Sequence, residues 1–274
     1  MFAESSSSRH ILLSIAYDGT DFSGWQVQPN APTIQGEVEA ALELMEKRSV
    51  RIRSSGRTDA GVHSCGHPAA FFTDSTIPLE GYKKGLNASL PRTVSVQAAS
   101  EVPLSFDARM WHCRKTYRYA INNSYVENPF LNRYSWRVGP SLDLDAMRAA
   151  ASYLVGTHDF TSFRAVDCNR PDAVKRVENV QIASWNDLVF IDVTGPAFLK
   201  NMVRIMAGTL VAAGNAKITP EDVRDALAAR DRTLAGPTAP PNGLCLVRVF
   251  YHDLPPSQQP RSCSMTGLFG FGLP

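Results

Sequence analysis

The first regular patterning along the chain is "HILLSIAYDG" (His10–Gly19), an apolar run closed by an Asp-Gly turn signal, which predicts a strand. In "TIQGEVEAALELMEKRS" the apolar positions Ile34, Val38, Ala41, Leu42 and Met45 recur on one helical face, with Glu and Lys opposite. Thr33, after Pro32, is placed to cap that helix. "VRIRSS" (Val50–Ser55) alternates with period two and "PAAFFT" (Pro68–Thr73) is an apolar run, so both predict strands. A short helix over Leu79–Leu90 and a strand over Thr93–Ser100 complete the order strand, helix, strand, strand, helix, strand, a ferredoxin-like α+β half.

The second half repeats this order loosely. "CRKTYRYAI" (Cys113–Ile121) predicts a strand, and Asp143–Gly156 a helix carrying Leu144, Met147, Ala151 and Leu154. "VKRVENVQIASW" and "LVFIDVTG" predict a hairpin turning at Asn186-Asp187. Ala197–Gly214 reads as a largely apolar helix, "TPEDVRDALAARD" as a helix capped by Thr219 with Pro220 at its first position, and Gly243–Asp253 as a last strand. The expected division is a flexible leader (1–8), one half over 9–103, a second over 104–253, and a loosely held Pro/Ser/Gly-rich tail over 254–274. The halves would meet near Glu101–Asp107 and leave a cleft between them.

Composition narrows the class only a little. An apolar fraction of 44% and a charged fraction of 20% are those of an ordinary globular protein. The formal charge of +2 neither demands nor excludes a polyanionic partner. The five cysteines are scattered without C-x-x-C spacing, which predicts reduced thiols rather than a zinc or redox site. The N-terminal residues lack the pattern of a signal peptide, and no apolar run is long enough for a membrane span, so a cytoplasmic, membrane-free protein is expected.

The candidate chemistry sits in "SSGRTDAGVHS" (Ser54–Ser64). Gly56, Gly61 and Gly66 make a tight loop between strands the expected conformation. Two readings of its polar residues stand side by side: Thr58 and Asp59 as turn-closing residues, or Asp59 as a carboxylate kept ionised by a guanidinium. A metal site built from Asp59, His63 and His67 at helical spacing is disfavoured by the three glycines and Pro68. Arg57 is near Asp59, but alternate residues of an extended segment point apart. Arg204, among Met202, Val203, Ile205 and Met206, is the better counter-ion candidate, snorkelling to the surface being the alternative. Basic residues interleave with aromatics in "ARMWHCRKTYRY", and Arg164, Arg170, Lys175 and Arg176 form a second cluster, with Arg51 and Arg53 flanking the Asp59 loop. Such clusters suit phosphates and stacked bases, or else make up a charged sheet face.

"SGRTDAGVH" (Ser55–His63) resembles the signature loop of the TruA-type tRNA pseudouridine synthases. "YDGTDFSGWQVQ", "TIQGEVEAAL", "GLNASLP", "FDAR", "KTYRY", "GTHDFTSF", "FLKNMVRIMAGTL" and "PPNGLCL" resemble further family segments in the family's order, from Ile11 to Tyr251. The resemblance implies two ferredoxin-like halves in one long antiparallel sheet, helices on one face, and the catalytic cleft between the halves. It also implies isomerisation of uridine to pseudouridine at positions 38 to 40 of the tRNA anticodon stem-loop, with no metal or organic cofactor, by a homodimer. By the same resemblance Asp59 matches the catalytic aspartate, Arg204 its arginine partner, and Tyr117 the tyrosine stacked on the extruded base. Leu244 matches the apolar residue on the base's other side, and Arg57 the arginine that helps displace the nucleotide. Thr58 and His63, inside the signature loop, are carried as substrate-binding candidates. His67 departs from the glutamine expected after the loop. The competing function is a non-catalytic RNA-binding protein on the same scaffold.

Overall fold

The computed structural model describes residues 8–111, 113–139 and 141–262, in two compact units. The first is built from residues up to Cys113 together with the chain from Leu246 onward, and the second from Arg114–Cys245. Both are mixed α+β units with mainly antiparallel strands.

The first unit follows the predicted order: β1 (Arg9–Tyr17), α1 (Ile34–Glu46), β2 (Arg53–Ser54), β3 (His63–Thr73), α2 (Leu79–Ser89) and β4 (Val94–Val102). Its sheet runs β4-β1-β3, with the last strand β11 (Leu244–Tyr251) on the far side of β3. Ile11, Leu13 and Ile15 of β1 point to one face and meet Ile34, Val38, Ala41 and Leu42 of α1 and Tyr82 and Leu86 of α2. These are the helical positions the apolar period selects. Thr33 caps α1, its hydroxyl accepting from the Gly36 amide.

Two strand boundaries differ from expectation. Of the Val50–Ser55 segment, Arg53 and Ser54 are in register with β3, and the Ser55 amide donates to the Pro68 carbonyl of β3 at 3.3 Å. The Ile52 amide donates instead to the Glu39 carboxylate of α1, 3.1 Å away, and Arg51 donates to the same group at 2.7 Å, so part of this backbone is satisfied without a ladder. β3, for its part, begins at His63 rather than Pro68. Gly66 lies within it because a Cβ there would stand 1.9 Å from the Arg261 carbonyl oxygen, a close backbone approach that a strand glycine permits. The same carbonyl accepts from Ser14 Oγ, and Gln259 bonds the Tyr251 amide and the carbonyls of Tyr251 and Leu254. The described part of the tail, through residue 262, is therefore docked on the first unit rather than loosely held; residues 1–7 and 263–274 lie outside the described residues.

In the second unit β5 (Cys113–Asn122) pairs with β6 (Trp136–Arg137) and β10 (Leu188–Gly195), and β10 with β9 (Asn179–Trp185). β7 (Gly156–Asp159) and β8 (Val174–Val177) form a separate pair. The expected continuous strand over 174–185 is thus broken at Glu178, whose amide bonds the Thr194 carbonyl at 2.7 Å. The β9–β10 turn falls at Asn186, as expected, in the left-handed conformation. Helices α3 (Leu144–Ser152), α4 (Met202–Gly214) and α5 (Pro220–Ala229) complete the unit, and Thr219 with Asp222 forms a full capping box on α5. α4 starts five residues later than its apolar run. Asn201 has a φ of 60°, and the Lys200 carbonyl accepts from the Ala165 amide, so residues 197–201 cannot continue the helix.

Candidate active site

The expected site residues are divided between the units. Arg57, Thr58, Asp59 and His63 belong to the first, and Tyr117, Arg204 and Leu244 to the second.

Asp59 lies half-buried in a turn between β2 and β3: the Val62 amide donates to its carbonyl, and the Gly61 amide to the Phe22 carbonyl. The segment before it is held on two sides. Trp25 donates its amide to the Thr58 carbonyl at 3.1 Å, while the Gly24 and Trp25 carbonyls accept from Ile34 and Gln35 at the start of α1. Gly24 is required there, since its φ is +92° and a Cβ would stand 2.7 Å from the Thr58 carbonyl oxygen. Arg57 is exposed and donates to Gln26 Oε1 at 2.9 Å.

Thr58 and His63 do not face outward. Each is only 6% exposed. The Thr58 hydroxyl lies 2.8 Å from the Tyr17 phenol. His63 Nδ1 lies 3.1 Å from the Gly19 amide and 3.2 Å from Asp18 Oδ1, so it accepts from the amide when unprotonated and donates to the carboxylate when protonated. Side chains bonded inward in this way hold the loop's backbone. His63 and His67 lie on the strand β3 rather than on a helix, and no cluster of three His, Cys, Asp or Glu able to hold a metal ion occurs among the described residues.

In the second unit α4 carries Arg204 in its first turn. Its Nε donates to the Ala239 carbonyl at 2.8 Å, its Nη1 to Asn201 Oδ1 at 2.9 Å, and its own carbonyl accepts from the Ala239 amide. The guanidinium is thereby fixed in direction. The next residue, Pro240, accepts the Tyr119 hydroxyl at 2.7 Å, so β5 and α4 both grip residues 239–240. Burial pushes the Tyr119 phenol far above its ordinary range, against the opposing pull of Arg204. Tyr117, two residues earlier on the same face of β5, is half-buried and meets Phe198 edge-on at 5.5 Å. Leu244, at the start of β11, is 5% exposed.

The basic clusters are less free than their sequence suggests. Arg118 makes a bidentate pair with Asp192, both bonds 2.7 Å, Arg114 pairs with Glu178, and Arg53 with Asp107. Lys175 pairs with Asp172 and Lys200 with Asp167. Acids distant in sequence supply several of these partners, which explains why a run of arginines overstated the positive surface. Residue-by-residue reading missed Tyr17, Trp25 and His67 as a group. The only signal was "YDGTDFSGW", whose aromatics become neighbours of the loop through tertiary contacts alone.

Comparison with known proteins gives a consistent result. The sequence profile of a family described as tRNA pseudouridine synthase matches residues 13–110 and 150–252. A protein named tRNA pseudouridine synthase A from Geotalea uraniireducens is 49% identical over 243 residues, 89% of this chain and all of that protein. Its namesake from Geotalea daltonii is 48% identical over the same shares, and that from Myxococcus xanthus 45% identical over 90% of this chain and 94% of its own length.

Proposed function

Because the chain belongs to the tRNA pseudouridine synthase family, an isomerase family, we propose that it converts uridine to pseudouridine at positions 38 to 40 of the tRNA anticodon stem-loop, with Asp59 as catalytic carboxylate. The carrying observation is the Asp59 turn, tied on one side to α1 through Trp25 and on the other to β3, a rigid mount for one half-buried carboxylate. The reaction is atom-balanced. The N1–C1′ bond of uridine breaks, C5–C1′ forms, the proton on C5 leaves and N1 gains one. No oxidant or reductant is consumed.

In this reading the target nucleotide is extruded from its stem. Asp59 attacks, Arg204 keeps it ionised, Tyr117 stacks on the base and assists proton transfer, Leu244 covers its other face, and Arg57 displaces the nucleotide from its stem. Extrusion costs a few kcal/mol, and stacking on an aromatic ring returns about 1–3 kcal/mol. The directed guanidinium of Arg204, held by Ala239 and Asn201, supports its share. The same reading takes the protein to be a cytoplasmic homodimer, checked by light scattering; among the described residues no helix is long and apolar enough to cross a membrane.

Release of tritium from 5-tritiated uridine in tRNA tests the chemistry. Asp59→Asn keeps tRNA affinity and lowers turnover on the order of 10⁴-fold or more, as removal of a nucleophile does. Turnover within tenfold of the unaltered protein would refute the aspartate's role. No release by the unaltered, folded protein, with binding intact, would point to a non-catalytic RNA binder instead.

A further inference from the structure

Beneath the Asp59 turn lies a chain of buried polar groups that touches the loop at two residues. The Thr58 hydroxyl is 2.8 Å from the Tyr17 phenol, and that phenol is 2.8 Å from His67 Nδ1. His67 Nε2 is 3.2 Å from the Gly56 carbonyl. Tyr17 and His67 are 4% and 1% exposed, and the Trp25 indole stacks on the imidazole at 3.8 Å with an interplanar angle of 18°.

The donors have one consistent direction. A carbonyl only accepts, so the imidazole proton is on Nε2, and in the neutral ring Nδ1 accepts from the Tyr17 hydroxyl. The Tyr17 oxygen in turn accepts from Thr58. Each member thus has a partner, as burial in a low-dielectric interior demands. One end of the chain lands on the Gly56 carbonyl and the other on the Thr58 hydroxyl; the two residues bracket Arg57, and Thr58 directly precedes Asp59. Tyr17 and His67 sit on β1 and β3, adjacent rigid strands of the sheet.

We propose that Tyr17 and His67 are positioning residues: through Thr58 and Gly56 they lock the loop that carries Asp59 and Arg57, and so set turnover without touching the substrate. The proposal rests on the catalytic role assigned to Asp59. A displacement of about 1 Å of a reacting group costs up to about 100-fold in rate, so a loosened loop is read in kcat while the tRNA contacts that set KM remain.

The experiment compares Tyr17→Phe, His67→Ala and His67→Gln with the unaltered protein by tritium-release kinetics and by hydrogen exchange of the amides of residues 55–62. Glutamine carries an N–H donor and an acceptor oxygen, as the neutral imidazole does, whereas alanine carries neither. Tyr17→Phe keeps the ring and removes only the hydroxyl. The expected result is a kcat lowered about 10- to 100-fold in Tyr17→Phe and His67→Ala with KM within about twofold, and recovery in His67→Gln. Exchange at 55–62 rises in the first two and not in the third, with the amides of β1 and β3 unaffected. Unaltered exchange of the loop in Tyr17→Phe would overturn the proposal, as would His67→Gln behaving like His67→Ala. An unaltered protein that makes no pseudouridine removes the proposed function, while the exchange data still decide whether the network fastens the loop.

Discussion

Tyr119→Phe tests the link between β5 and the segment that orients Arg204. Tyr119 is fully buried, its ring meets Trp136 edge-on at 6.2 Å, and its hydroxyl donates to the Pro240 carbonyl at 2.7 Å. Phenylalanine keeps the ring and leaves the half-buried carbonyl without its donor. Loss of the bond together with partial desolvation of the carbonyl costs about 1–2 kcal/mol. At about 2–4 °C per kcal/mol, the melting temperature falls by roughly 2–8 °C. The pH dependence adds a second signature. Burial raises the phenol well above its ordinary 10.0, with Arg204 opposing, so the native state keeps the proton that the unfolded chain loses. The contribution is complete below pH 10 and declines as pH rises toward the folded-state value, with a limiting slope of about 1.4 kcal/mol per pH unit. Tyr119→Phe lacks that slope. Denaturation by urea, followed by tryptophan fluorescence, should therefore give a stability gap at pH 8 that narrows between pH 10 and 11. A gap under about 0.5 kcal/mol at pH 8, or one that does not narrow, would refute the reasoning.

Two further changes probe the two units. Asp192→Ala leaves the Arg118 guanidinium, with a side chain only 13% exposed, without its bidentate partner, and should cost about 1.5–3 kcal/mol in denaturant titration; a double-mutant cycle with Arg118→Met should recover part of it. Gly66→Ala drives a Cβ against the Arg261 carbonyl, so residues 254–262 should detach and become cleavable by trypsin after Arg261, with a stability loss of about 1–3 kcal/mol. An uncut tail in that variant would show that its docking does not depend on the close approach.

Much of this protein is legible in local pattern, and the failures share a cause. α1 and α5 were readable because the apolar period, the Thr33 and Thr219 caps and Pro220 all concern residues within a few positions of one another. The start of α4 was not, because what ends it is the Lys200 carbonyl turning to the amide of Ala165. Gly66 looked like a loop residue until Arg261, distant in sequence, proved to lie against it within β3. Likewise the arginines of β5 looked available to phosphate until Asp192 and Glu178 were found paired with them.

The candidates for the reactive groups could be named from the chain itself: an aspartate between glycines after an arginine, an arginine in an apolar helix, and a tyrosine in a basic strand can be read without coordinates. Their mounting could not be. Tyr17 and His67 beneath the Asp59 loop, and Ala239 and Asn201 around the Arg204 guanidinium, come together through hydrogen bonds between residues up to fifty positions apart. Side-chain chemistry is a local property of sequence, whereas the satisfaction of buried donors and acceptors is decided only once the sheet has brought distant segments into contact.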